Sequence, residues 1–184
     1  MDVAQNAPET VILAEDEASL YLQATTMRVW APIGQTPIVR IHMGREHTNF
    51  YGCLNLQTGT EIVMQADIMN STTTAAYLQM IADAIPDKPI LLLWDRAPWH
   101  RGTAVRDFLE ANPRFEILWL PPGAPDLNPQ EQVWKRTREH VSHNHRHTQL
   151  RNLADTFVTY LTDSVFKSAF LERYGYSANR PSFN

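Results

Sequence analysis

The chain has 184 residues, 43% of them hydrophobic, and a formal net charge of −4. That suits one compact domain with a real core and excludes a disordered chain. The single cysteine, Cys53, excludes an intrachain disulfide and a cysteine-rich zinc site.

Residues 1–20 are acidic and lack the basic-then-apolar order of a secretion signal. Val11 to Ala14 is an apolar run leading into Glu15-Asp16-Glu17, which predicts a buried strand ending in acid. Tyr21 to His47 carries Pro32, Gly34 and Pro37, marks of a turn or extended hairpin. Phe50–Leu56 and Glu61–Ile68, joined by Gln57-Thr58-Gly59, predict a β-hairpin. Tyr77, Met80, Ile81, Ala84 and Ile85 share one helix face, with Ser71 as cap and Pro86 as stop. Ile90 to Trp94 is a continuous apolar run, as in a central strand covered on both faces. It is too short to span a bilayer, so a cytoplasmic protein without a membrane anchor is expected. A short helix around Val105, Phe108 and Leu109 follows, then a strand over Phe115–Leu120 closed by Pro121-Pro122-Gly123. A helix should start at Asn128-Pro129 and run to about His143. A last amphipathic helix begins at Leu150 and extends to about Leu171. The strand–helix–strand unit from Ile90 to Leu120 implies a parallel pair, hence an α/β fold with a mixed sheet flanked by helices.

Asp16 and Asp95 each follow an apolar strand, where ligand sites gather in open α/β sheets. Glu131 falls on the first turn of the helix after the next strand, so it can reach the same edge. Converging carboxylates repel one another unless cations are present, and oxygen-only ligands suit magnesium or manganese. Two such ions serve phosphoryl transfer.

The local words narrow this further. "LAEDE", then "WAPIGQ", "LLLWDRAPWH" and "LPPGAPDLNPQEQVW" together resemble the mariner-like superfamily of DDE transposases, in particular its bacterial insertion-sequence branch. The likeness runs from about Val11 to His143, and the last motif is the most specific. It implies a ribonuclease H-like fold with a five-stranded mixed sheet, residues 1–184 forming a single catalytic domain. It also implies Asp16, Asp95 and Glu131 as catalytic, metal-holding acids and two Mg2+ or Mn2+ ions. The implied reaction is DNA cleavage at transposon ends followed by strand transfer into target DNA. The segment between Tyr21 and His47 resembles a loop that clasps a partner subunit, so a homodimer on DNA is implied, with a bacterial, nucleoid-associated location. The resemblance also implies N-terminal helix-turn-helix modules in relatives, and no such module is expected within these 184 residues. Alternative functions are a ribonuclease H-like nuclease and an inactive dimerising or inhibitory fragment.

Structural roles compete at several positions. Glu131 could close a capping box on Asn128 or pair with Lys135. His100 could contact the scissile phosphate or support the metal ligands, or be a polar residue at a helix start. Trp94, Trp99 and Trp134 read as packing residues, and Asp126 as a turn residue. "HVSHNHRH" reads as a solvated helix end. Lys135 and Arg138 are candidate DNA contacts, and Arg136, Arg138, Arg146 and Arg151 could form a phosphate-facing patch. The acidic pI of about 5.9 sits awkwardly with DNA handling, though the metal-site carboxylates account for part of that charge.

Overall fold

The computed structural model describes residues 7–35, 37–38 and 44–173. Strands β1 (Val11–Tyr21), β2 (His47–Asn55), β3 (Glu61–Ala66), β4 (Ile90–Trp94) and β5 (Phe115–Trp119) form one sheet in the order β3-β2-β1-β4-β5. The first three make an antiparallel meander; β4 joins β1, and β5 joins β4, in parallel. Helices α1 (Ser71–Ala84), α2 (Thr103–Ala111), α3 (Gln130–Thr137), α4 (Leu150–Asp163) and α5 (Phe170–Arg173) complete the expected α/β architecture.

The period of two along β1 divides the core. Ile12, Ala14, Ala18 and Leu20 pack with Trp134 of α3 and with Leu153, Phe157 and Leu161 of α4. Val11 and Leu13 point the other way, into a core with Tyr77, Leu78 and Ile81 of α1 and Val105 of α2. On β4, Leu93 joins the first core, while Ile90, Leu92 and Trp94 join the second. Both faces of β4 are therefore covered, which is why its sequence shows no polar alternation.

Several elements differ from expectation. β1 does not end at Ala14 but continues to Tyr21, because β2 pairs with it as far as the Tyr21–His47 pair after β4 has stopped. The cap of α1 is Asn70 rather than Ser71: Asn70 is extended and its side chain accepts from the Thr73 amide at 2.9 Å. The helix after Asn128 changes pitch, with a π-helical turn over Arg138–Ser142. The last long helix stops at Asp163. The chain then runs extended, so that the Phe166 amide bonds the Gly59 carbonyl at 2.7 Å and its ring is buried. Residues 36 and 39–43 of the expected hairpin lie outside the described residues. The described part forms no strand, only a bridge between Thr25 and His143.

Candidate active site

Continuing the β1–β4 register past the Ala14–Leu93 pair places Asp95 alongside Asp16. Both stand on the sheet face that carries α3, since Asp16 shares the side of Ala14 and Ala18 and Asp95 that of Leu93. Glu131, on the first turn of α3, faces them. Asp16, Asp95 and Glu131 line one cleft of about 300 Å3, walled by Pro121, Pro122, Gly123 and Asn128. Partial burial and then the negative charge of Glu131, with Glu17 and Asp95 adding, push the Asp16 carboxyl up to about 8. Among the described residues, the Glu131 carboxylate makes no hydrogen bond or ion pair, so neither the capping box nor the Lys135 pair forms.

Asp95 is held differently. Its Oδ1 accepts from the Ala97 amide and faces His100 Nδ1, both at 2.9 Å, which leaves Oδ2 as its free oxygen. The His100 hydrogen bond is the main reason its pKa lies below the ordinary carboxylate value. His100 is buried, with its ring stacked on Trp94 at 4.0 Å, and its Nε2 meets Glu17 Oε1 at 2.9 Å. Burial alone would depress the His100 pKa. The bonds to Asp95 and Glu17, with their charges, outweigh this and raise it to about 9. The histidine is therefore a doubly protonated donor tying the cleft to two acids on the reverse face of β1. One of these, Glu15, is fully buried, accepts from the Trp94 indole and is held well above the usual carboxylate range, chiefly by burial. The other, Glu17, accepts from the Trp99 indole at 2.8 Å.

Ligand atoms of Glu15, Glu17 and His100 lie within 4.8 Å of one another, the one group of three that close among the described residues. The two indoles and Asp95 take most of its hydrogen-bonding positions, although Glu15 Oε1 makes no hydrogen bond among the described residues, so the set reads as a buried polar network. The oxygens of Asp16, Asp95 and Glu131 stand farther apart but border an open cleft. A half-buried, oxygen-only donor set bordering a cleft, with Asp16 repelled by its acidic neighbours, fits hard divalent cations.

Three residues bring α3 to this place. Gly52 is the cross-strand partner of Asp16. A Cβ at Gly52 would run into the Trp134 ring and stand 2.5 Å from Gln130 Nε2 and 2.6 Å from Glu61 Oε1. The missing side chain thus lets α3 settle onto the sheet beside Asp16. Gln130 bonds Glu61 on β3 at 2.6 Å. Buried Asn128 accepts from the Gln130 amide at 3.1 Å and donates to the Glu15 carbonyl at 2.9 Å, joining the start of α3 to β1 one residue from Asp16.

The structure thus brings Asp16, Asp95 and Glu131 together and puts His100 beneath Asp95, away from open solvent. Lys135 lies in a neighbouring groove. Arg138 lines neither cleft and contributes its carbonyl to the π turn, whereas its neighbour Arg136 lines the same groove as Lys135. Asp126 is an exposed turn residue, as expected. Trp94 and Trp134 are fully buried, whereas Trp99 is only half-buried. "HVSHNHRH" is not solvated throughout: His145 is 8% exposed and its Nδ1 accepts from the His147 amide. In the sequence Glu15 and Glu17 read only as acids beside Asp16. The signal for their role was the apolar alternation at Ala18 and Leu20, which continues the strand and turns positions 15 and 17 to the opposite face from Asp16.

A comparison with protein families matches residues 11–154 to the DDE superfamily endonucleases. A 39 kDa protein of insertion element IS630 from Shigella sonnei is 24% identical over 142 residues, 75% of this chain and 40% of the relative. The fold is similar to that of Mos1 transposase in its paired-end complex with the left transposon end, with a TM-score of 0.71 and 16% identity over 94% of this chain and 56% of that one. It is also similar to the catalytic domain of Mos1 mariner transposase, with a TM-score of 0.60 and 14% identity over 89% of this chain and 75% of that one. The sheet flanked by helices is thus the ribonuclease H-like fold, and the chain spans about half the length of the first relatives it matches. With its family profile covering both parallel strands, the meander and α3, this chain belongs to the DDE superfamily endonucleases.

Proposed function

We propose that this chain is the catalytic domain of a DNA transposase, with Asp16, Asp95 and Glu131 as the acids that hold its divalent metals. The observation that supports this is the shared cleft, with two acids at adjacent strand positions and a third on the facing helix. Similarity to an insertion-element protein and to transposase complexes with transposon DNA, one containing Mn, points the same way. Asp95 would offer Oδ2, its Oδ1 being committed to His100 and Ala97. Asp16 would give up its proton when a cation replaces the repulsion of its neighbours. A pair of Mg2+ or Mn2+ ions would supply charge stabilisation at the scissile phosphate and lower the pKa of the attacking hydroxyl. The chain's own part is to hold three carboxylates in place against their repulsion.

A homodimer on DNA belongs to the same reading. Beyond β1 the chain exposes Trp30, Ile33 and Ile38 at 104%, 105% and 85%, large apolar side chains left for a partner to cover. Association with the chromosome follows from the substrate; among the described residues no helix is long and apolar enough to cross a membrane.

The test joins the chain to a DNA-reading module and incubates it with Mn2+ and DNA bearing the cognate ends. Wild type should nick at the ends and join them to target DNA, and Asp95→Ala should do neither. Equal activity in both proteins, or none in either, counts against the assignment. A dominant inhibitory effect of both on an intact transposase would favour the inactive-fragment reading instead.

A further inference from the structure

The acid cleft has a neighbour on the described surface. A groove of about 600 Å3 runs between α3, with its π-helical continuation, and the Phe166–Arg173 segment. One wall carries Lys135, Arg136 and His140; the other carries Lys167 and Arg173; Asp126 and Glu139 are its acidic residues. Four formal cations against two acids is a local surplus in a chain whose net charge is −4. Lys135, Arg136, Lys167 and Arg173 are exposed, and among the described residues none of them makes an ion pair. The groove adjoins the acid cleft, since Asn128 lines both.

We propose that this groove seats the sugar–phosphate backbone of duplex DNA and carries it from the carboxylate cleft along α3. The proposal rests on the transposase reading and adds to it a path for the substrate. The arrangement has a natural measure. Lys135 and His140 lie four and nine residues beyond Glu131, roughly 6 and 14 Å of helical rise. Phosphates of one strand advance about 3.4 Å along the duplex axis. The cations therefore meet phosphates about two to four nucleotides from the one at the acids. The interaction reads charge and spacing, so it positions DNA and does not select sequence.

The test measures binding of a fluorescent 30-base-pair duplex by anisotropy across a salt series, without divalent metal. The proteins are wild type, Lys135→Ala/Arg136→Ala/Lys167→Ala, and the charge control Lys88→Ala/Arg106→Ala on the α1–α2 side. Every phosphate that goes without its cation should flatten the plot of log affinity against log salt by about 0.9. The triple variant should therefore show a slope about 2–3 shallower and weaker binding to every sequence tried, while the control keeps the wild-type slope. With the chain joined to its DNA-reading module, whose cognate end fixes the register, methylphosphonate linkages two to four nucleotides from the cleavage point should weaken binding by wild type but not by the triple variant. An unchanged slope in the triple variant, an equal loss in the control, no duplex binding by wild type even at low salt, or tighter binding of single-stranded RNA than of duplex overturns the proposal. Such a failure leaves the catalytic reading standing as long as Asp95→Ala still abolishes nicking; loss of that difference would remove the catalytic reading itself.

Discussion

Replacing Asp16 with asparagine should stabilise the metal-free protein, and the amount should depend on pH in a defined way. The Asp16 carboxyl is displaced from an ordinary 3.8 to about 8, by burial first and the Glu131 charge second. The folded protein thus holds a proton that the unfolded chain releases near pH 4. Stability from this group is complete below pH 4 and falls as the pH rises towards 8, where the folded form also ionises. The full displacement is worth about 5–6 kcal/mol at 1.36 kcal/mol per unit. Solvent reaching the open cleft screens part of it, leaving about 2–3 kcal/mol. For a domain of this size that is a rise in Tm of roughly 5–10 °C. The amide carries no charge for Glu131 to repel, so in EDTA the variant and wild type should melt together at pH 4 and diverge up to pH 8. Adding Mn2+ should reverse the order, raising the Tm of wild type and leaving the variant nearly unmoved. Thermal melts at half-unit pH intervals, with and without Mn2+, measure both effects. Coincident melting curves from pH 4 to 9, or equal stabilisation of both proteins by Mn2+, would refute the claim that the three acids form one repelling, cation-seeking cluster.

Two further substitutions test how that cluster is supported. His100→Ala strips the buried acids Glu15 and Glu17 of their cationic neighbour and frees Asp95 Oδ1, so it should cost about 3–5 kcal/mol in urea unfolding. Mn2+ affinity by titration calorimetry should fall roughly 10–100-fold, with His100→Gln recovering part of it, and unchanged affinity would deny His100 a positioning role. Because its pKa in the folded protein, about 9, lies above the ordinary 6.5, the stability it adds is complete below pH 6.5 and fades as the pH passes 9. The gap between wild type and His100→Ala should narrow over that range. Gly52→Ala pushes a methyl group into Trp134, Gln130 and Glu61, at a cost of about 1–3 kcal/mol. It should also blunt the Mn2+-induced rise in Tm, since α3 carries Glu131; an unaltered Mn2+ response would show that α3 is positioned by other contacts.

Much of this protein is set by local sequence. The apolar run at Ile90–Trp94, the hairpin residues around Gly59 and the helical spacing from Tyr77 to Ile85 specify their elements through periods of two and 3.6, which act over a few residues. The motifs around Asp16, Asp95 and Glu131 are local as well, each a run of neighbouring residues. Tertiary structure decided what lies across from each strand, because that depends on residues far away in the chain. The charges of Glu15 and Glu17 look like solvent-facing acids until His100 and the Trp94 and Trp99 indoles are brought to them. Gly52 looks like a weak point in a strand until Trp134 and Gln130 are found to occupy the space its missing side chain leaves. The basic groove joins α3 to a segment some thirty residues further on, across the whole of α4. A local pattern can fix which face of a strand or helix is apolar, but only the packed chain brings distant groups close enough for burial and charge to act between them.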